Sequence, residues 1–397
     1  MNKLIITRLD CGIMTALQSD GEIVQLNLEP ISQASVLGNI YIGKVKNIVK
    51  NINSAFVEFQ EGQMGYYSLS DNKTHHYASP HSGNELKAGD EIIVQVAKDA
   101  VKTKAPVLTG NLSFPGKYCV LTLGKRVLGF SSKITSQEWK TQLKERLSQS
   151  YGKDEGIIVR TNAQGLDGSV LEEELERLKA VSGRVLSDAL YRTCYTCLYR
   201  AVPSYLSDLR DQNSGLLQEI ITDDAELFQE LTEYLTDFQP DDLEKLKFYN
   251  DNLLPLKKLY SLETSLEHAL SRKVWLKSGG YLVVDPTEAL VVIDVNTGKY
   301  SGKKNLRDTI RKTNMEAAAE IVKLLRLRNL SGIIIIDFID MELEEDRKEL
   351  LSFLTQQAAK DPIKTTVVDI TKLNLVEMTR KKVRRPLHEQ AAFTKGE

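Results

Sequence analysis

The sequence predicts an α+β protein of several domains, on three observations. Residues 1–36 alternate apolar and polar around an Asp20-Gly21 turn, residues 37 to about 116 hold five short β-type runs, and beyond about 270 strands alternate with helices. A length of 397 residues leaves room for about two to four domains.

LIITRLD and EIVQLNLEP have the period of a half-buried antiparallel pair, and Asp-Gly between apolar runs is a hairpin signal. GNIYIGKVKNIV, SAFVEF, MGYYSL, DEIIVQVAKD and APVLTGNLSF follow at the spacing of a small closed barrel. Residues 117–200 read as the strands YCVLTL and VLGFSSKI, a helix near 136–148, the strand GIIVRT ending in Arg160-Thr161, and a helix from Gly168 towards Val202. Residues 203–251 are acidic and read as mostly helical with a solvated face, a poor surface for a polyanion.

From about 270, YLVVD-PTE-ALVVIDV reads as a hairpin. Leu306, Ile310, Ala317, Ile321 and Leu324 then recur at helical spacing. GIIIIDFIDM is too short and too β-branched for anything but a buried strand, and a helix (EEDRKELLSFLTQQAAK) and a strand (TTVVDI) follow it. This alternation implies parallel neighbours joined by right-handed crossovers.

Composition excludes little. The net charge of −2 neither favours nor opposes nucleic acid, because a neutral total can hide a basic face. The N-terminus lacks a signal-peptide core and no apolar run reaches the roughly 18 residues of a membrane span, so a cytoplasmic protein is expected. Four cysteines (Cys11, Cys119, Cys194, Cys197) make no disulfide framework in a chain this long. Cys194 and Cys197 form a lone CxxC in a segment that looks helical. One pair supplies half a tetrahedral zinc shell, so two small core residues one turn apart, or a zinc or disulfide shared between subunits, are the readings it allows.

Chemistry concentrates in LVVIDVNTG and IIIIDFIDM. If these strands are adjacent and parallel, Asp294 and Asp337 occupy equivalent C-terminal ends, where open α/β sheets hold ligands. Carboxylates about 4.8 Å apart repel unless a cation lies near, which points to magnesium with most of its waters retained. Asn296 shares the side-chain parity of Asp294 and could orient a water or a phosphate, and Asp340 is a supporting acid. The alternative is a strand end whose polar residues merely bond a turn.

Arg380, Lys381, Lys382, Arg384 and Arg385 fall within six residues, a solvated basic face or a track for backbone phosphates. Arg307, Arg311, Lys312 and Lys303-Lys304 add positive charge near Asp294. In the barrel, Phe56 and Tyr66 lie on consecutive strands with Lys104 nearby, and such rings stack bases unless they belong to the core.

LVVIDVNTG, TNMEAAAEIVKLLRLRNLSG, IIIIDFIDM and NLVEMTRKK resemble the catalytic region of the ribonuclease E/G family, nearer its ribonuclease G branch. IYIGKVKNI, SAFVEF and GIIVRT extend the resemblance over nearly the whole chain. It implies an RNase H-like domain split between 1–36 and 206–269. An OB-fold RNA-binding barrel at 37–118 and a 5′-sensor at 119–205 would be inserted in it, with a DNase I-like α/β catalytic domain at 270–397. The implied activity is magnesium-dependent (or manganese-dependent) endonucleolytic cleavage of single-stranded A/U-rich RNA in mRNA decay or rRNA processing, leaving 5′-phosphate and 3′-hydroxyl ends. A catalytically inactive RNA-binding protein of the same fold is the alternative, but it has no need of the Asp294, Asn296 and Asp337 set.

The resemblance further implies that Asp294 and Asp337 bind the metal and that Asn296 supports the attacking water or scissile phosphate. Phe56, Tyr66 and Lys104 would hold RNA. Arg160 and Thr161 would grip a 5′-monophosphate in a pocket lined by Gly116 and Val120; a terminal phosphate carries about −1.5 to −2 charge, and a guanidinium can bind it bidentately. Three departures stand out. Ser132 and Lys364 occupy positions where arginine is usual, which weakens the expected sensor because lysine lacks the planar fork. Tyr66 stands where phenylalanine is common. The family's zinc-link CPxC would come after Glu397, so the expectation is a homodimer held by other contacts, or a monomer, without structural zinc.

Overall fold

A computed structural model describes residues 2–10, 12–30, 35–79, 85–100, 104–148, 150–298 and 306–395. Two compact units emerge. One comprises Met1–Gln33 and Ser214–Glu397, the other Ala34–Asn213.

The second unit opens with the barrel. Strands Ile40–Val49, Ser54–Gln60, Gln63–Ser68, Val107–Thr109 and Glu91–Lys98 pair in that order, and the last pairs back to the first, closing five strands into a ring. Val57, Phe59, Tyr67, Val94 and Leu108 fill it, while the alternate residues Phe56, Glu58 and Tyr66 take the outer side, as a period of two requires. A four-stranded sheet follows (Val127–Phe130, Glu155–Val159, Cys119–Leu123, Ser113–Pro115), with helices Gln137–Leu147 and Gly168–Ala189 contributing to the same core.

Here two expectations fail. The second helix ends at Ala189 and does not continue towards Val202, and Cys197 belongs to a short strand, Cys197–Tyr199, paired with Ile40–Val49. Cys194 and Cys197 are therefore not one helical turn apart. Both are half-buried free thiols.

In the first unit, strands Asn2–Leu9, Gly12–Ser19 and Glu22–Pro30 form an antiparallel meander, one strand more than the pair expected. Asp20 and Gly21 turn with φ of 50° and 86°, the double left-handed geometry that a two-residue hairpin favours. The meander is extended by Leu217–Thr222, parallel to Asn2–Leu9, and then by Leu246–Phe248. Residues 203–251 are thus not simply helical. Nor is their acidity all solvated: Asp242 is buried with Ser214 and Lys245 as partners, and Asp208, which belongs to the other unit, is buried as well.

The other sheet of this unit has the order Lys273–Trp275, Tyr281–Pro286, Leu290–Asn296, Gly332–Asp337, Leu375–Arg380, Thr365–Ile370. Helix Leu306–Leu327 makes the crossover between the two central strands, which are parallel. Helix Glu344–Ala359 precedes Thr365–Ile370, but that strand does not join its predecessor as expected. LVEMTR, unread as a strand, inserts between them and is antiparallel to both. Val291, Ile293, Ile334, Ile336, Val376 and Met378 lie in one core with Ala317, Ile321, Leu325, Leu350 and Leu354 of the two helices. Among the described residues no helix is long and apolar enough to cross a membrane.

Candidate active site

Asp294 pairs in register with Asp337 across the two central parallel strands. Each is the first exposed residue after an inward-facing isoleucine, so the strand period turns both carboxylates away from the core and onto the same side. Asn296, two residues on, donates from Nδ2 to Asp294 Oδ2 at 2.7 Å. Together with Val295, Thr297, Phe338, Ile339 and Asp340 these residues line one shallow, mostly polar cleft. Partial burial, then the charges of Asp294 and Asp340, raise the Asp337 carboxyl above the ordinary aspartate value.

That is the electrostatics of acids gathered where a cation would relieve them. Hard carboxylate oxygens from two strands suit magnesium, which takes one or two such ligands and keeps several waters. Among the described residues there is no cluster of three or more His, Cys, Asp or Glu side chains able to enclose a metal.

A residue that sequence reasoning did not single out braces the cleft. Asn314, on helix Leu306–Leu327, is fully buried; its Nδ2 donates to the Ile339 carbonyl at 2.8 Å and its Oδ1 accepts from the Ile339 N–H at 3.1 Å. One amide thereby satisfies both backbone groups of Ile339, in the loop between Asp337 and Asp340. Asn374 donates to Asp340 at 3.3 Å from the other side. A polar residue at a helix position predicted to face the core was the available signal for Asn314.

The basic residues divide. Lys381 is exposed, but Arg380 is not available to RNA. Its side chain is 1% exposed and forms an ion pair with the equally buried Asp361, Nε to Oδ2 at 2.6 Å, with further bonds to Asn329 Oδ1 and the Leu330 carbonyl. The period-two alternation of strand Leu375–Arg380 points it inward after Val376 and Met378. Arg307 and Arg311 are held by Asp346 and Glu349 on helix Glu344–Ala359, so they bind the two helices together. Lys303 and Lys304 lie outside the described residues.

In the other unit, Arg160 donates from Nη1 to the Gly116 carbonyl and from Nη2 to Asp211 Oδ1, each at 2.7 Å. Burial pushes the Asp211 carboxyl up, but Arg210 and Arg160 outweigh it and hold the group below its ordinary value. Thr161 is exposed and shares a 2.8 Å hydrogen bond with Ser131, the neighbour of Ser132. Val120 is half-buried on the strand following Gly116. Glu174 accepts from the N–H groups of Lys117, Tyr118 and Cys119, and a side chain at 116 would run into its carboxylate at 2.6 Å. This stretch accordingly admits only glycine there without displacement of Glu174.

On the barrel, Phe56 and Tyr66 are directly paired across neighbouring strands, meet edge to face at 6.2 Å, and are partly exposed. Ser54 donates to the Tyr66 hydroxyl at 2.6 Å, fixing the ring. Lys104 is exposed.

Comparison with known proteins adds an independent line. The model of the Ribonuclease E/G family matches residues 113–383. Ribonuclease G of Escherichia coli strain K12 is 35% identical over 379 residues, covering 93% of this chain and 77% of that protein. Ribonuclease G of Haemophilus influenzae is 34% identical over 94% of this chain and 78% of its own. Ribonuclease E of Synechocystis is 33% identical over 89% of this chain and 53% of the relative. Identity at this level over nearly the whole length, with the family match spanning the Asp294–Asp337 cleft, means that the chain belongs to the ribonuclease E/G family.

Proposed function

We propose that the protein is a magnesium-dependent endoribonuclease that cuts single-stranded, A/U-rich RNA in mRNA decay or rRNA processing and leaves 5′-phosphate and 3′-hydroxyl ends. The observation that carries the reading is the in-register pairing of Asp294 with Asp337 at the exposed C-terminal ends of the two central strands, with Asn296 bonded to one of them. Asp294 and Asp337 would hold the ion, and manganese suits the same oxygens. Bound magnesium supplies Lewis-acid stabilisation of charge on the scissile phosphate and a readier nucleophile from water.

The chain's own residues do the rest. Asn296 spends one amide hydrogen on Asp294, which leaves its carbonyl and second hydrogen to orient an incoming water or a phosphate oxygen. Asn314 keeps the loop after Asp337 from shifting, and Asn374 steadies Asp340. Positioning of this kind is worth most where the reacting atoms must be held in line.

In the same reading, residues 1–36 and 206–269 form an RNase H-like domain, 37–118 an OB-fold, 119–205 a 5′-sensor and 270–397 a DNase I-like catalytic domain. The closed five-stranded ring supports the OB-fold, and the parallel pairing of Asn2–Leu9 with Leu217–Thr222 supports a domain interrupted by an insertion. Phe56, Tyr66 and Lys104 would bind RNA on the barrel, and Lys381 on the catalytic domain. Arg160 and Thr161, with Gly116 and Val120, would receive a 5′-monophosphate that competes with Asp211 for the guanidinium. Cytoplasmic location, and a homodimer or a monomer, complete the proposal.

A fluorescent 5′-monophosphorylated A/U-rich oligomer tests it. Cleavage should require Mg²⁺, and Asp294→Asn or Asp337→Asn should lower it on the order of 10²–10³-fold with RNA affinity retained. Metal-independent binding without product would favour the inactive RNA-binding alternative, and equal loss of binding in the variants would remove the metal-site assignment. Arg160→Ala should erase any preference for 5′-monophosphate over 5′-hydroxyl RNA. An unchanged ratio would exclude the sensor.

A further inference from the structure

One side of the sheet that carries Asp294 and Asp337 packs on helices, and the other bears the two acids. On the acids' side a row runs across three strands: Trp275 pairs with Tyr281, and Tyr281 pairs with Asn296. Directly opposed residues on antiparallel strands project to one side, and the alternate residues Val274, Leu282 and Val295 are buried on the other. Trp275 and Tyr281 meet edge to face at 5.3 Å, and Trp275 remains 61% exposed. Lys273, two residues earlier on the edge strand, holds its ammonium 4.2 Å from the indole centroid and 3.6 Å from the phenol centroid.

A large ring left this open on an edge strand gains little from folding. What it offers is a flat apolar surface in line with Asn296. Strand spacing of about 4.8 Å puts Trp275 roughly 10 Å along the row from Asn296, the reach of a base about one or two nucleotides from a phosphate at the acids. We propose that Trp275, buttressed by Tyr281, is a stacking platform for a nucleobase beside the scissile phosphate, with Lys273 moving from the rings onto the adjoining backbone phosphate.

The proposal rests on the nuclease reading above for the identity of the strand that crosses this face. Stacking on an indole tolerates any base, since each has a π-face, so the platform would orient the substrate without choosing its sequence. Tyr281 stops the indole from tilting. Lys273 adds a salt-sensitive contact.

Two readouts separate this proposal from the reading it rests on. The chain has two tryptophans, Trp139 and Trp275, so Trp139→Phe leaves Trp275 as the only indole fluorophore. Titration with a single-stranded A/U-rich oligoribonucleotide, without divalent metal, should quench its emission saturably, and an oligomer with an abasic residue beside the cleavage position should quench it less. In cleavage assays with Mg²⁺, Trp275→Ala should raise KM about tenfold with kcat within about twofold, and Trp275→Phe should restore most of the loss. The abasic oligomer should cost the natural chain a similar factor and Trp275→Ala nothing further. Unquenched emission, or a Trp275→Ala enzyme as sensitive to base removal as the natural one, overturns the platform while leaving the nuclease intact. Quenching without cleavage under any metal leaves the platform standing and removes the nuclease.

Discussion

Asp294 and Asp337 stand side by side, and the Asp337 carboxyl is raised, first by partial burial and then by the charge of Asp294. The neighbouring Asn314 has the opposite character, since both its hydrogen-bonding ends are satisfied inside the protein. Asn314→Ala should leave the Ile339 N–H and carbonyl without partners and lower stability by about 1–3 kcal/mol. It should also reduce kcat more than it raises KM, because the loop it fixes carries Asp337 and Asp340. Denaturant unfolding and steady-state cleavage measured on one preparation check both, and an unchanged kcat would leave Asn314 a purely structural residue. The acids were legible in the sequence, because a carboxylate closing an apolar strand of period two has only one side to face. Arg380 was misread for the complementary reason: in a run of five basic residues, nothing local distinguishes the one that pairs inward with Asp361.

Among the elements, the outer face of the barrel is tied to the segment after Gly168–Ala189 through Glu58. Lys46 at 2.7 Å, then the Tyr195 hydroxyl, then the Gly62 N–H hold its carboxyl at about 2, against 4.5 for an unperturbed glutamate. A lowered folded-state value stabilises above pH 4.5, and that contribution disappears as pH falls from 4.5 towards 2. Glu58→Gln should therefore flatten the fall of Tm with acid in this window, as thermal unfolding across pH will report. In the sheet that carries Asp294 and Asp337, Asp361→Ala should strand the Arg380 guanidinium in the interior and destabilise by about 3–5 kcal/mol, whereas replacing both by apolar residues should cost much less. A double-mutant cycle read by denaturant unfolding tests this. Strand Leu217–Thr222 escaped detection because EIIT sits in an acidic stretch with helical neighbours. Its partner, Asn2–Leu9, lies more than two hundred positions away and leaves no local trace.

For the whole molecule, a net charge of −2 must coexist with binding to a polyanion. If Lys104 and Lys381 meet phosphates, log affinity for single-stranded RNA should fall with log salt by about 0.7 for each contact, and Lys381→Ala should reduce the slope by that amount. Arg380→Lys, by contrast, should leave the slope unchanged, because residue 380 faces the core. Fluorescence anisotropy over a range of salt concentrations distinguishes the two. What the sequence by itself determined is whatever depends on nearest neighbours: the strand periods, the Asp20-Gly21 turn, the five short strands of the barrel, and the side on which Asp294, Asn296 and Asp337 emerge. Tertiary structure alone decided which strands meet and which charges cancel. It inserted Leu375–Arg380 beside Gly332–Asp337, withdrew Arg380, Arg307 and Arg311 into ion pairs, and aligned Trp275 with Asn296. The reason is physical: backbone geometry repeats over a few residues, whereas pairing partners and burial are set by contacts between segments far apart in the chain.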